Sequence, residues 1–177
     1  MIITLSGLPG TGKTTVGRAI GDRFKLQLIS IGEMFRMMAK ERGMTLSEFG
    51  KLAESNAEID KKIDREQSRI AEGGCDVLIE GRLSGWMVKN ADLKIWLKAP
   101  IESRCERIAK RDGMSIEQAS KEVKERERCE SKRYMDSYEI DIEDLSPYDL
   151  VINSSKWDKK GVIEIISSSI DGVFCSK

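Results

Sequence analysis

Short apolar runs alternate along this 177-residue chain with segments in which apolar residues recur every three or four positions. The runs are typical of buried strands, and the recurring spacing is typical of amphipathic helices. Strands are predicted at 2–5, 26–30, 76–80, 93–97 and 149–152. Helices are predicted at 13–24, 31–42, 45–54, 58–72, 101–110, 115–134 and 159–173, with a loop at 81–86.

This alternation of strands and helices predicts an α/β fold. Right-handed crossovers make the five-stranded sheet parallel, with helices flanking it. We expect one domain over residues 1–177, because no repeat, low-complexity tract or long linker divides the chain. Ligands of such sheets bind beyond the carboxyl ends of the strands, so we expect the chemistry along one edge.

The strongest motif follows the first predicted strand directly. Gly7-Leu8-Pro9-Gly10-Thr11-Gly12-Lys13-Thr14-Thr15 matches the phosphate-binding loop pattern Gly-x-x-x-x-Gly-Lys-Thr between a strand and a helix. Its glycines let several backbone N–H groups turn toward one anion, and the next helix adds its positive end. Lys13 is placed to reach the β- and γ-phosphates, and the Thr14 hydroxyl to bind Mg²⁺. The motif predicts binding of a nucleoside triphosphate.

Charge and composition narrow the classes of function. Thirty basic and thirty acidic residues cancel, so no global field favours nucleic acid or an anionic membrane. No apolar run approaches the ~20 residues of a membrane span, and an apolar start that leads into the phosphate loop does not fit a removable signal peptide. We therefore expect a cytoplasmic monomer without nucleic-acid or membrane partners.

Histidine is absent, and the four cysteines are widely spaced, at 75, 105, 129 and 175. The sequence thus predicts free thiols and no zinc site. Without an imidazole base, the chain suits phosphoryl transfer to an acceptor that is already an anion. A nucleoside monophosphate, whose second phosphate pKa is about 6, is such an acceptor.

Two arginines at the predicted binding edge point to a phosphorylated acceptor. Arg36 lies one turn into the helix after the second strand, and Arg82 lies just beyond the third strand. A guanidinium fork holds a phosphate bidentately, although a lone arginine is often a solvated surface group. Glu80, at the end of the third strand, has the position of a Walker-B-type acid.

A charged segment from 125 to 134 allows two interpretations. Arg126 and Arg133 are seven residues apart and share a helix face, with Glu130 between them. Such a run is usually an exposed helix with internal ion pairs. Beside a phosphate site it also fits a lid that closes, excludes water and brings cations to the transferred group.

Five sequence elements occur together in a fixed order: Gly7 to Thr15, Ser30-x-Gly32-x-x-Phe35-Arg36, Glu80-Gly81-Arg82, Lys98-Ala99-Pro100 and Arg126-x₆-Arg133-Tyr134. Together they resemble the nucleoside monophosphate kinases, and most closely the short archaeal-type cytidylate kinases, over essentially the whole chain. The resemblance implies a P-loop NTPase-type fold with acceptor-binding helices at about 31–74 and a helical lid at about 104–136. It also implies transfer of phosphate from ATP to CMP or dCMP with Mg²⁺.

The resemblance assigns roles to individual residues. Lys13, Arg126 and Arg133 are expected to be catalytic, with Glu130 orienting the lid arginines. The acceptor CMP is expected to contact Ser30, Gly32, Arg36, Gly81 and Arg82. ATP is expected to contact the loop from Gly7 to Thr15, with Arg107 and Arg111 beside it and residues 154–157 near the adenine.

The chain also departs from the bacterial cytidylate kinases. Those enzymes have aspartates before the Gly-Arg pair and after its arginine, where this chain has Glu80 and Leu83. Because the second aspartate helps to read the nucleotide there, the sequence does not identify the residues that contact the pyrimidine here. The larger inserted acceptor domain is absent, since residues 36–74 have room only for short helices.

Other functions stay open on the sequence alone. An adenylate kinase or a small-metabolite kinase has the same fold, although the pair Arg36 and Arg82 favours a phosphorylated acceptor. A nucleotide-switched factor that assists RNA or ribosome assembly belongs to a different class. Zero net charge and the lack of a basic tract count against that class.

Overall fold

The computed structural model describes residues 1–56, 58–73 and 76–175, in which strands and helices alternate. The strands are β1 (Ile2–Gly7), β2 (Gln27–Ser30), β3 (Val77–Gly81), β4 (Leu93–Lys98) and β5 (Leu150–Asn153). The helices are α1 (Lys13–Phe24), α2 (Ile31–Glu41), α3 (Leu46–Ser55), α4 (Glu58–Glu72), α5 (Ser84–Met87), α6 (Ile101–Asp112), α7 (Ile116–Tyr138) and α8 (Lys159–Cys175). None of these described helices is long and apolar enough to cross a membrane.

The five strands form one parallel sheet in the order β2-β3-β1-β4-β5. The central strand β1 pairs with β3, so that Ser6 lies opposite Gly81, and with β4, so that Gly7 lies opposite Leu97. The carboxyl ends of β1 and β3 therefore meet side by side. The predicted five-stranded parallel sheet is confirmed.

Helices cover both faces of the sheet because the strand residues alternate in direction. In β3, Leu78 joins a core cluster with residues of α1 and α8, whereas Val77 and Ile79 join a cluster with Ala71 of α4. Ile3 and Leu5 of β1 are almost completely buried in the first cluster. The sheet is thus buried on both sides, as expected for parallel strands.

Helices α2, α3 and α4 pack on one another beside the sheet. Ser30 ends β2 and also caps α2, since its hydroxyl accepts a hydrogen bond from the Glu33 backbone N–H at 3.3 Å. A capping box at Thr45 and Glu48 opens α3, with both hydrogen bonds formed. The apolar residues shared by the three helices are Met38, Ala39, Phe49, Ala53, Ile59 and Ile63.

Two differences from the sequence prediction exceed two residues. The segment 81–86 was predicted as a loop, but Ser84–Met87 forms the helical turn α5. Ser84 is buried and the Gly85 backbone N–H donates to Ser6 Oγ at 3.2 Å, so this turn packs on β1. Four residues are too few to show a helical period. Helix α7 also continues one turn beyond the predicted end, to Tyr138.

Some of the sequence predictions fall outside the described residues. The thiols of Cys75 and Cys175, which the sequence predicts to be free, are not described. Cys105 and Cys129 are buried free thiols. Burial raises the pKa of Cys129 to about 11, which keeps that thiol protonated.

Candidate active site

The loop between β1 and α1 packs closely against its neighbours. Gly7 and Gly10 have φ angles of 149° and 81°, a region that glycine adopts readily. A Cβ atom added at Gly10 would lie 2.6 Å from the carbonyl oxygen of Arg104, and one at Gly7 would lie 2.3 Å from that of Leu97. Both the dihedral angles and the space therefore require glycine.

Lys13 begins α1 and points back into the loop. Its side chain is only 6% exposed, and Nζ donates hydrogen bonds to the carbonyl oxygens of Gly7 at 2.8 Å and Leu8 at 3.1 Å. An ammonium group has three donors and no acceptor, so it exchanges carbonyl partners for phosphate oxygens without a change of role. The Lys13 ammonium therefore lies within the loop, where its hydrogen-bond partners are carbonyl oxygens.

Arg82 joins this loop to the neighbouring strand end. Its Nη1 donates to the Gly7 carbonyl oxygen at 3.0 Å, the same oxygen that accepts from Lys13. This contact follows from the register that places the ends of β1 and β3 together. Burial, followed by the positive charge of Arg82, lowers the pKa of Lys13 well below its usual value. Two cations therefore converge at one point of the sheet edge.

Glu130 of α7 holds Arg82 and a second arginine. Its Oε2 accepts from Arg82 Nε at 2.7 Å, and its Oε1 accepts from Arg126 Nε at 2.8 Å. Burial by itself would raise the pKa of Glu130, but the charges and hydrogen bonds of Arg82 and Arg126 lower it to about 2. The carboxylate is therefore ionised at neutral pH and fixes both guanidinium groups.

These side chains form one wall of a cavity bounded by the end of β3 and by α2, α4 and α7. The cavity combines apolar surface with a few convergent charged groups, which is the usual form of a small-molecule site. Its lining residues are Ile31, Gly32, Phe35, Asp60, Ile63, Asp64, Gln67, Glu80, Gly81, Arg82, Leu83, Arg126, Glu130, Arg133, Tyr134 and Tyr138.

Arg133 lies inside this cavity, bound to α4. It is 5% exposed, and its Nε lies 2.6 Å from Asp60 Oδ2. Its guanidinium carbon lies 5.4 Å from the ring centre of Phe35 and 5.3 Å from that of Tyr134. Burial raises the pKa of Asp60 to about 6, although the charge of Arg133 opposes the rise. Helices α4 and α7 are thus joined by a buried ion pair.

A second α4 carboxylate, Asp64, lies one turn beyond Asp60. Its Oδ1 accepts from Gln67 Nε2 at 3.0 Å, and its Oδ2 accepts from the Tyr138 hydroxyl. Gln67 Oε1 accepts in turn from Ser84 Oγ at 3.2 Å. Within the described part of the chain, Asp64 forms no ion pair. Its two hydrogen bonds come from neutral groups.

Comparison with known proteins identifies the family. The model of the cytidylate kinase-like family matches residues 2–156. The chain belongs to this family. A curated cytidylate kinase from Pyrococcus horikoshii is 54% identical over 171 residues, which cover 97% of this chain and 88% of the relative. One from Methanocaldococcus jannaschii is 52% identical over 177 residues, covering 98% of this chain and 99% of the relative.

Solved structures with the same fold are more distant in sequence. An uncharacterized protein from Eubacterium ventriosum has a TM-score of 0.72 at 17% identity, with 97% of this chain and 98% of that chain covered. Shikimate kinase from Aquifex aeolicus has a TM-score of 0.60 at 16% identity, with both chains fully covered. These likenesses show that the chain shares its overall fold with both proteins.

The acceptor residues expected from the family lie around the cavity. Gly32 and Gly81 are part of its lining, and Ser30 caps the helix that follows. Arg36 is exposed and lies beside Gly32, where a Cβ would be 3.7 Å from its Nη1. Partial burial and the charges of Arg126 and Arg111 lower the pKa of Arg36, which still remains charged. No ion pair involves Arg36 in the described part of the chain.

The residues expected on the ATP side lie around the phosphate loop. Arg107 donates to the carbonyl oxygen of Gly10 at 3.3 Å and to that of Ser154 at 2.8 Å. Ser154 Oγ donates to the Thr11 carbonyl oxygen at 2.8 Å, which links the end of β5 to the loop. Trp157 is 54% exposed. Arg111 instead forms an exposed ion pair with its neighbour Asp112.

Sequence reasoning missed Arg104, a residue of α6 that contacts the phosphate loop. Arg104 is buried and donates to the carbonyl oxygens of Ala99 at 3.0 Å and Pro9 at 3.3 Å, and it forms an ion pair with Glu127 of α7. Nothing in the charged segment around Arg104 separates it from solvated arginines. Four further residues of the cavity wall were missed because they belong to no motif, namely Asp60, Asp64, Gln67 and Tyr138.

Proposed function

We propose that this member of the cytidylate kinase-like family transfers the γ-phosphoryl group of ATP to CMP, and to dCMP, giving ADP and CDP or dCDP. One observation carries the proposal: Lys13 of the phosphate loop and Arg82 of the cavity donate to the same carbonyl oxygen. A triphosphate in the loop and a monophosphate in the cavity would therefore meet end to end. The curated relatives named above are cytidylate kinases.

The transfer needs no proton acceptor from the protein. An oxygen of the CMP phosphate, already anionic, forms a bond to the γ-phosphorus of ATP, and the bond from that phosphorus to the β–γ bridging oxygen breaks. The departing ADP keeps the electron pair. Positioning and charge stabilisation supply the catalysis of such transfers, which agrees with a chain that contains no histidine.

Lys13 and the arginines each stabilise the negative charge on a different part of the two phosphate groups. Lys13 binds the donor phosphates, and Arg36 and Arg82 bind the acceptor phosphate. Arg126, which shares Glu130 with Arg82, faces the charge that develops between them. We retain Arg133 as a catalytic group, with the ion pair to Asp60 as the contact that holds it in the cavity.

The residues at the loop fit a magnesium ion carried by ATP. The partly buried Thr14 hydroxyl follows Lys13, and the buried Glu80 Oε2 at the end of β3 has no hydrogen-bond partner among the described residues. Both are hard oxygen donors of the kind that Mg²⁺ prefers. In the described residues no cluster of three or more acidic, Cys or His side chains is arranged to hold a metal by itself. When bound, Mg²⁺ neutralises charge on the transferred phosphate.

A coupled assay of ADP release tests the function. The purified protein is given ATP and Mg²⁺ with CMP, dCMP, UMP, AMP or GMP as acceptor. We expect the highest kcat/KM with CMP and dCMP. Equal or better turnover of AMP would contradict the assignment to cytidylate, and slow ATP hydrolysis stimulated by RNA, without transfer to any monophosphate, would favour an assembly factor.

A further inference from the structure

The acceptor cavity has two chemically different ends. Arg82, which shares the Gly7 carbonyl oxygen with Lys13, and its partner Glu130 mark the phosphate end. Asp64 instead accepts a hydrogen bond from Tyr138, eight residues beyond Glu130 in α7, which is about 12 Å along the helix at about 1.5 Å per residue. Asp64 therefore lies toward the end of the cavity that is away from the phosphate loop. A nucleoside monophosphate whose phosphate is held by Arg82 extends its base in that direction.

These three cavity carboxylates differ in the groups that are already bound to them. Glu130 is held by two arginines and Asp60 by Arg133. Asp64 receives hydrogen bonds only from Gln67 and the Tyr138 hydroxyl. Since an ionised carboxylate offers about four acceptor positions, two of those on Asp64 remain unused. A carboxylate with spare acceptors at the wall of a ligand cavity is suited to a donor on the ligand.

From this arrangement we propose that Asp64 accepts a hydrogen bond from the 4-amino group of cytosine and thereby selects CMP over UMP. The proposal rests on the proposed CMP kinase function. Cytosine carries an amino donor at position 4, where uracil carries a carbonyl oxygen. An acceptor-only carboxylate attracts the first and repels the second.

The surroundings of Asp64 keep its acceptors in place. Gln67 lies in the same helix and is itself held by Ser84 at the start of α5, while Tyr138 approaches from the end of α7. Three elements thus hold one carboxylate at the cavity wall. Leu83 lines the same cavity with an apolar side chain and offers no acceptor.

The test compares the wild type with Asp64→Asn, using a substrate that lacks the amino group. That substrate is the 2-pyrimidinone ribonucleoside 5′-monophosphate, which is CMP with hydrogen in place of the 4-amino group. In the wild type we expect kcat/KM to fall about tenfold or more when the amino group is absent, because a charged hydrogen bond is lost. In Asp64→Asn we expect this penalty to be at least about threefold smaller, because the amide oxygen of asparagine accepts a weaker hydrogen bond than a carboxylate.

A second readout is the preference between natural substrates. We expect Asp64→Asn to shift the ratio of kcat/KM for CMP to that for UMP at least about tenfold toward UMP. The matched control is Glu66→Gln, in the same helix, where the carboxylate pairs with Arg69 and does not line the cavity. That variant is expected to keep the wild-type ratio. Asp64→Ser serves as the second neutral variant if Asp64→Asn does not fold.

The outcomes separate this proposal from the proposed function. One outcome is that the wild type phosphorylates CMP, but kcat/KM falls by the same factor in the wild type and in the neutral variants when the amino group is absent. In that case Asp64 does not contact the amino group of the base. If the wild type transfers no phosphate to CMP, the cytidylate kinase assignment itself fails. Thermal unfolding followed by circular dichroism shows whether each variant is folded before its ratio is interpreted.

Discussion

Lys13 and Arg82 donate hydrogen bonds to one atom, the carbonyl oxygen of Gly7, at 2.8 and 3.0 Å. One side chain comes from the helix after β1 and the other from the end of β3, 69 positions later in the chain. The shared oxygen places two positive groups side by side, at the point where the phosphates of two nucleotides approach each other in the proposed reaction. Glu130 then keeps Arg82 in that position from the opposite side.

Replacing Glu130 tests this arrangement. Glutamine has nearly the same size but no charge, so Glu130→Gln leaves the guanidinium groups of Arg82 and Arg126 without their buried counter-ion. Removing one partner of a buried ion pair costs about 3–5 kcal/mol. We expect a loss of that size in the free energy of unfolding, measured with urea at neutral pH, together with a higher KM for CMP.

The control for this change is Glu122→Gln, an exposed carboxylate on the same helix. A surface substitution of this kind changes the free energy of unfolding by no more than about 0.5 kcal/mol. Equal urea midpoints for Glu130→Gln and Glu122→Gln would show that the two ion pairs contribute nothing to stability.

The pH dependence of stability gives an independent measure of Glu130. Although burial opposes it, the arginine partners lower the pKa of Glu130 from 4.5 to about 2. A carboxyl group whose pKa is lower in the folded state stabilises the fold above its unfolded pKa and loses that contribution as the pH falls. Relative to Glu130→Gln, the wild type is expected to lose about 3 kcal/mol between about pH 5 and pH 2. Parallel curves for the two proteins would contradict this.

Arg36 is expected to affect the substrate without affecting the fold. Its guanidinium is exposed and forms no ion pair with any residue that the structure describes. Arg36→Ala should therefore leave the free energy of unfolding within about 0.5 kcal/mol of wild type. If Arg36 holds the CMP phosphate, the KM for CMP rises at least about tenfold and the KM for ATP stays constant. The contrasting variant is Arg82→Ala, which loses buried contacts and stability as well.

Arg133 requires a paired substitution, because replacing it is expected to change both the free energy of unfolding and kcat. Arg133→Met leaves Asp60 buried without its ion-pair partner, and we expect a cost of about 3 kcal/mol. Adding Asp60→Asn removes the unpaired charge and should restore most of that stability. The kcat is expected to stay at least about tenfold below wild type in both proteins. Recovery of kcat in the double variant would show that Arg133 acts only through the fold.

Gly10 tests the close approach between the phosphate loop and α6. In Gly10→Ala the new Cβ meets the Arg104 backbone, so the loop has to move and the KM for ATP should rise at least about tenfold. Gly43→Ala is the matched control, because Gly43 also has positive φ, at 66°, but nothing lies within 4 Å of an added Cβ. That variant should lose about 1 kcal/mol of stability and keep the wild-type KM. Equal KM values in both would mean that the loop tolerates the side chain.

The sequence was sufficient for the sheet and for the phosphate loop. Both depend on local signals, namely apolar runs, helical spacing and a contiguous motif. The family was also identified from short motifs whose residues are close together in the chain. The short helix α5 was missed because one helical turn gives no period, and its position depends on the contact between Gly85 and Ser6, 79 positions apart.

The charged helix α7 shows why the rest of the site was not predictable. One face of the segment 125–134 carries an exposed ion pair, and another face meets the cavity. Arg128 and Glu125 form an exposed ion pair within the helix, whereas Glu130 and Arg133 bind partners on other elements. The spacing of charges separates the faces of a helix but does not state which face meets a cavity. Asp60 and Asp64 contact residues of α7 that lie more than 65 positions away in the chain, so no local pattern indicates their roles.

The hydrogen-bond chain from Ser84 through Gln67 to Asp64 runs in one direction, and Tyr138 enters it at the same carboxylate. Hydroxyl and amide groups donate as well as accept, so each of the other three members can reverse its role by rotating a single bond. Asp64 alone cannot. The direction of the whole hydrogen-bond chain is therefore set by one residue, and a single isosteric substitution at Asp64 would free that direction without any repacking of the core.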